Sequence, residues 1–455
     1  MSGIQKNARW PWLIGLSLTV AGCQPSVRML DGPAIVGNPA QSTEAKGLAS
    51  APVILASAKS APYVRTLNMR AAMRRSVRHS PVLRAVSEEI NARQGEAFQA
   101  GRRPNPELET EVENFGGSGG FSGFGAAETT IGLAQSIELG GKRLKRLRVA
   151  ELDVSLANWD YEAARLTIAS QTLQAFVDVL AAQERLAIRR EFETITSRLT
   201  DTVSERVKAG KVSAVELNRA EVEQARATVA VREVQANLDV ARRQLALFWG
   251  ARAPDFGKAV GRLAATNHLP SPERFNTYLE RNPNVARWAD EIAQRQASFE
   301  LERARRIPNL TVGAGVRRFE ETGDSAVVAG FSIALPFFDR NRGNIDAASA
   351  RIAKSLYEHS AAKIDLRSRF VEAYGLLRAS EAKLRALESK VLPKAKEAFD
   401  AIERGYREGK FDLLNVLDAQ RSLIEVRLDV VNTQAEFHKA KAVIEGLIGR
   451  DLYKL

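Results

Sequence analysis

Residues 142–209 contain neither proline nor glycine. A stretch without breakers can stay helical throughout, and at about 1.5 Å per residue it would reach roughly 100 Å. That is several times the length of an ordinary globular helix. Such a length favours coiled-coil packing of paired helices over an ordinary amphipathic helix. After Gly210 a second helical pattern begins. Val231, Val234, Leu238, Ala241, Leu245 and Phe248 recur in alternating steps of three and four, which is coiled-coil seam spacing.

The same pattern is written twice. Pro81 recurs at Pro283 and Pro106 at Pro308, both displaced by 202 positions, while Gly210 recurs at Gly409 and Gly250 at Gly449, displaced by 199. A first-half loop about three residues longer accounts for the drift. The second seam reads Val430, Thr433, Phe437, Ala440, Ile444 and Leu447, with Thr433 its polar member. This period exceeds the roughly 20–50 residues of a solenoid repeat, so it marks tandem half-domains. Each half predicts a helix near 82–101 or 284–305, then two extended stretches around a turn, then a long helical hairpin turned at Gly210 or Gly409. Pro393 falls inside the second long helix, where a kink or break is expected. The expected organisation is a signal segment at 1–22, an extended linker at 23–66, and a first repeat at 67–250. An inter-repeat linker at 251–270, a second repeat at 271–449 and a tail at 450–455 complete it.

The extended stretches are membrane candidates. Glu107, Glu109, Glu111 and Glu113 alternate with Leu108, Thr110 and Val112, so the four carboxylates share one face. Ile131, Leu133 and Ile137 form a second set, Leu310, Val312, Ala314 and Val316 a third, and Val327, Ala329, Phe331, Ile333 and Leu335 a fourth. Each has about the 9–11 residues of a barrel strand. Small barrels need about eight strands, so several chains would have to share one barrel. Soluble hairpins capping a helical bundle are the other reading. If the strands span, the four carboxylates face the lumen, because one facing lipid would cost several kcal/mol. Whether the row selects cations or is only tolerated by a wet lumen stays open.

The N-terminus reads as an address. Lys6 and Arg9 precede an apolar run that ends in Val20-Ala21-Gly22-Cys23. The run has signal-peptide length and is too short to span. Small residues before a cysteine resemble the bacterial lipobox, which predicts cleavage after Gly22 and acylation of Cys23. Gln24 follows rather than the Asp that favours inner-membrane retention, so the expected destination is the outer membrane.

Chemistry-bearing motifs are missing from the sequence. The single Cys excludes a disulfide framework, and the four His, at 79, 268, 359 and 438, have no shared ligand spacing. There is no nucleophile elbow, phosphate loop or HExxH motif. The expectation is no enzyme, no cofactor and no metal centre. The net charge is +12, but Lys and Arg are interleaved with Glu and Asp, without a basic stripe bearing aromatics. Nucleic acid is therefore not an expected partner.

The lipobox, the duplicated order, and the turns Arg206…Gly210…Leu217 and Arg404-Gly405-Tyr406…Gly409…Leu417 together resemble the TolC-type outer-membrane efflux channels. The crossings around Glu138-Leu139-Gly140-Gly141-Lys142 and Pro336-Phe337-Phe338-Asp339-Arg340 are similar to the cation-efflux, CzcC-like branch. The resemblance implies a mainly α fold with a small β part. In it, duplicated helical hairpins form a trimeric α-helical barrel, and each chain gives four strands to a shared twelve-stranded β-barrel. It implies passive conduction from an inner-membrane pump of the RND type and a periplasmic adaptor to the exterior. The homotrimer would sit in outer-membrane lipid and pass heavy-metal cations or, alternatively, organic compounds. Adaptor docking is expected at Arg206, Gly210, Lys211, Ser213 and Leu217, and at Arg404, Gly409, Lys410, Leu413 and Leu414. The periplasmic gate is expected at Asn415 and Asp418, where the family pattern is acidic at both and Asn415 departs from it. A lipid-anchored adaptor would carry one helical hairpin rather than two. A coiled-coil spacer lipoprotein would leave the alternating stretches without a role.

Overall fold

The computed structural model describes residues 63–263 and 269–451, so Cys23 lies outside the described residues. Both halves build the same series of elements. In the first, strand β1 (Val64–Asn68) leads into helix α1 (Met69–His79), where the Asn68 side chain accepts from the Ala71 N–H. Helix α2 (Pro81–Ala100) starts with proline in its first turn, where the missing N–H has no partner to lose. Strands β2 (Glu107–Glu113) and β3 (Glu128–Ile137) follow. Helix α3 (Lys142–Lys208) runs unbroken for 67 residues, and α4 (Ala214–Leu247) returns along it.

The second half opens with strand β4 (Phe256–Val260) and short helices α5 (Asn276–Glu280) and α6 (Pro283–Ala286). Helix α7 (Trp288–Arg305) and strands β5 (Leu310–Phe319) and β6 (Ser325–Ile333) come next. The long hairpin is α8 (Arg342–Ala386), α9 (Leu392–Arg407) and α10 (Leu413–Ile448). The break expected at Pro393 is a single π-helical turn, Leu387–Val391, after which the helix continues. One wide turn absorbs the proline ring and its missing donor without ending the rod.

The three-residue drift has a composite origin. The turn between β2 and β3 spans 114–127 and that between β5 and β6 only 320–324, while the sheet-to-helix crossing is longer in the second half, 334–341 against 138–141. The stretches expected as linkers also carry structure. β1, at the end of the first, pairs in parallel with β4 from the second, Leu67 opposite Ala259. Asp255 fixes this junction by accepting from Arg75 at 2.9 Å and from the Trp249 indole at 3.2 Å.

The core lies in three clusters. Phe176, Val179, Leu245, Trp249 and Phe256 form one against β1 and β4, and Phe275, Phe370, Leu377, Phe437 and Ile444 form its second-half counterpart. A third, at the hairpin turns, holds Val203, Ala220, Tyr406, Leu413 and Val416. Both seams point inward. Leu238, Ala241 and Leu245 are buried, as are Val430, Phe437, Ala440 and Ile444. Thr433 is also fully buried, and its hydroxyl has no hydrogen-bond partner among the described residues. Where α10 crosses α3, Ser170 donates to the Ala442 carbonyl at 2.8 Å, and a Cβ at Gly446 would lie 2.8 Å from Ser170 Cβ. Gly446→Val should therefore force the two helices apart. A loss of about 1–3 kcal/mol, typical of overpacking, is expected as a lowered thermal midpoint of the purified protein.

Candidate functional site

The first candidate surface is the sheet. Its strand order is β2-β3-β5-β6, all antiparallel, so β3 and β5 join the two halves at the centre and β2 and β6 are left as edges. Directly paired residues share a face. Glu109 pairs with Gly132, which pairs with Gly315, and Glu111 pairs with Thr130, which pairs with Arg317. The carboxylate face thus carries glycine, threonine and one arginine. The other face carries Leu108, Leu133, Ile131, Val316, Val327 and Phe331. Val327 is 82% exposed, Phe331 78% and Leu108 70%, an apolar face with no cover from the described residues. The polar face is concave, a trough of about 610 Å³ bounded by Glu109, Glu111, Thr130 and Arg317.

The carboxylate row is not uniform. Arg317 pairs with Glu113 at 2.8 Å and with Glu128 at 2.9 Å, and donates to Thr130 at 2.8 Å. Charge at the turn end of β2 is thereby compensated, while Glu107, Glu109 and Glu111 make no ion pair among the described residues. Sequence reasoning missed Arg317. The available signal was an arginine in strand phase with Gly313 and Gly315, but only the β3–β5 register brings it to Glu113.

The second surface is the pair of hairpin turns. Gly210 and Gly409 both have left-handed φ, 68° and 77°. In each turn the next N–H reaches back to close the helix, Lys211 to the Arg206 carbonyl at 2.9 Å and Lys410 to the Gly405 carbonyl at 2.8 Å. Ser213 and Asp412 precede the returning helices, and Asp412 accepts from the Asn415 N–H. The two turns lie side by side. Arg206 donates to the carbonyls of Tyr406 and Arg407 at 3.0 and 3.1 Å and stacks on the Tyr406 ring at 4.4 Å. Burial pushes the Tyr406 phenol up.

This geometry divides the expected docking residues. Gly210, Lys211, Ser213, Arg404, Gly409, Lys410 and Leu414 are exposed. Arg206 is held in the staple between turns, Leu217 is half-buried, and Leu413 is 2% exposed within the turn core. Leu413 and Leu217 are apolar residues in the first turn of an amphipathic helix, and the neighbouring hairpin buries them. Lys410 pairs with Glu408 at 2.6 Å.

The expected gate pair also separates. Asn415 is exposed, but its amide donates to Asp412 Oδ1 at 2.7 Å, so it completes a helix cap. Asp418 is exposed and lines a groove of about 640 Å³ between α4 and α10 with Val215, Arg219, Val222, Leu414 and Arg421. Arg421 and Arg226, in the same groove, both donate to Glu223, at 3.1 and 3.0 Å, and Asp418 makes no ion pair among the described residues. No cluster of metal-ligating side chains occurs among the described residues, and no described helix is long and apolar enough to cross a membrane.

Comparison with known proteins gives this geometry its context. The profile of the family described as "Outer membrane efflux protein" matches residues 73–251 and 275–450, one match to each half. The cobalt-zinc-cadmium resistance protein CzcC of Cupriavidus metallidurans is 37% identical over 368 residues, covering 81% of this chain and 86% of that protein. The nickel-cobalt-cadmium resistance protein NccC of Alcaligenes xylosoxydans is 27% identical, covering 62% and 63%. The crystal structure of the outer membrane protein VceC of Vibrio cholerae superposes with a TM-score of 0.69 at 18% identity, over 84% of this chain and 96% of that one. With both repeats matched and the CzcC likeness running along four-fifths of its length, the chain belongs to the outer membrane efflux protein family.

Proposed function

We propose that three copies of this chain form an outer-membrane duct that passes divalent heavy-metal cations outward from a periplasmic adaptor and an RND-type pump. The observation that carries the membrane reading is the sheet's division into one bulky apolar face and one concave polar face. Its open edges, β2 and β6, must be satisfied within the bilayer. Pairing β2 of one copy with β6 of the next supplies the partner, and three copies supply more than the roughly eight strands a closed barrel needs. The metal reading is supported by the likeness to CzcC, a cobalt-zinc-cadmium resistance protein, and to NccC, a nickel-cobalt-cadmium resistance protein. Acylation of Cys23 would add a lipid anchor beside the barrel. Deleting the gene should sensitise cells to cobalt, zinc or cadmium, and the purified protein should conduct as a trimer in planar bilayers. Unchanged metal tolerance together with raised drug sensitivity would favour organic export instead.

In this reading Glu107, Glu109, Glu111 and Glu113 face the lumen. Replacing the unpaired Glu107, Glu109 and Glu111 with Gln should lower the cation-over-anion permeability ratio, read as a shift in reversal potential under a salt gradient. An unchanged ratio would leave the row as tolerated charge in a wet lumen. Asp418 is the gate candidate, drawn with its symmetry mates around one axis, while Asn415 contributes its cap.

The exposed parts of the turns form the docking surface, centred on Lys211 and Lys410, with Gly210, Ser213, Arg404, Gly409 and Leu414 beside them. Arg206, Leu217 and Leu413 hold that surface in shape from beneath. A Lys211→Glu/Lys410→Glu double variant should abolish metal resistance while trimer and membrane levels stay normal. Full resistance in that strain would remove the turns as the docking site.

A further inference from the structure

Four helix ends meet at the border between sheet and helices. The C-termini of α2 and α7 and the N-termini of α3 and α8 are tied together there by side-chain hydrogen bonds. Arg146 donates to the carbonyls of Ala100 and Arg102 at 2.9 and 3.1 Å, and Arg143 to that of Gly101 at 3.1 Å. Lys142 reaches Asn309, and Asn341 donates to the Glu302 carbonyl at 2.8 Å. Basic side chains outnumber carboxylates at this level, and the carboxylates are already engaged. Glu138 holds Arg146, Glu300 holds Lys145 and Arg303, and Glu302 holds Arg305. Asp339 accepts from the Asn341 N–H.

A second set of arginines remains around these ties. Arg102, Arg103, Arg306 and Arg340 are exposed. Arg102 lies over the Phe98 ring at 3.6 Å, and the side chains of Arg103, Arg306 and Arg340 make no ion pair or hydrogen bond among the described residues. Beside them, at the end of β6, Leu335 and Phe337 are 65% and 68% exposed and Phe338 is fully exposed. Apolar and aromatic groups next to guanidinium groups are what a bilayer boundary requires, rings at the acyl edge and charge at the headgroups. Guanidinium is the cation best matched to phosphate oxygens, through paired N–H donors.

We infer that Arg102, Arg103, Arg306 and Arg340 form a collar that binds the phosphodiester headgroups of anionic phospholipid in the periplasmic leaflet. The inference rests on the reading of the sheet as membrane-spanning, which sets this border at the leaflet surface. Repeated around a trimer, the collar would gather anionic lipid at the root of the helical barrel and fix the depth at which the helices leave the membrane.

The test uses the full-length protein in nanodiscs of phosphatidylethanolamine mixed with phosphatidylglycerol, with retained lipid counted by native mass spectrometry. The wild type should retain phosphatidylglycerol over phosphatidylethanolamine by about fivefold or more, the weight of one interfacial basic residue. Arg102→Gln/Arg103→Gln/Arg306→Gln/Arg340→Gln should bring the ratio close to even, and the corresponding quadruple Lys variant should keep most of it. Equal retention by the wild type, or an undiminished preference in the Gln variant, overturns the collar. Bilayer conductance of the same preparations separates the two readings. A conducting trimer without lipid preference sinks the collar alone, whereas a protein that never forms a conducting trimer overturns the channel reading and the collar with it.

Discussion

A helix of 67 residues has no interior of its own. Its apolar side must be covered along its whole length, and almost every other element serves that need. α4 returns along its lower half, α10 crosses it between Ser170 and Gly446, and α2 and α7 flank its upper end. Coverage comes in separate clusters rather than one core, because a rod has too little volume at any one level to bury a large one. The β1–β4 pair braces the middle, with Asp255 binding α1 to the end of the first hairpin.

The sheet follows from the same duplication but solves another problem. Each half gives one hairpin, and a hairpin alone is marginal in water. Pairing β3 with β5 merges the two into four strands with a consistent face polarity. That polarity leaves bulky apolar side chains uncovered and two strand edges open. In the proposed channel, a further copy and a bilayer would answer both requirements at once. The middle of the trough side stays low because Gly132, Gly313, Gly315 and Gly330 lie there, while Glu109 and Glu111 project from β2 and Arg317 from β5.

At the hairpin turns, short-range and long-range interactions share the work. Glycine in left-handed geometry reverses each chain locally. The two reversals are then joined by Arg206, whose guanidinium satisfies helix-end carbonyls of the other hairpin. A cation at a helix C-terminus also meets the favourable end of the helix dipole. The exposed lysines of the turns thus stand on a packed, hydrogen-bonded base.

Much of this was legible in the chain itself. The breaker-free stretch set the length of α3, the repeated prolines and glycines set the duplication, and steps of three and four marked both seams. These are local signals, since proline, glycine and periodicity act through the residue's own backbone and its near neighbours. Strand alternation likewise put the four carboxylates on one face. Tertiary structure decided what depends on partners distant in sequence. Register across β3 and β5 brought Arg317 to Glu113 and compensated one end of the row. Packing between hairpins buried Leu413 and turned Arg206 from a surface cation into a staple. Two stretches that read as linkers became a paired sheet, because each of β1 and β4 supplies the other's missing hydrogen bonds. The sequence by itself determined the length, the repeat and the seam, all written within a few turns of chain. Which charges are spent and which remain available is settled only when residues some two hundred positions apart are brought together.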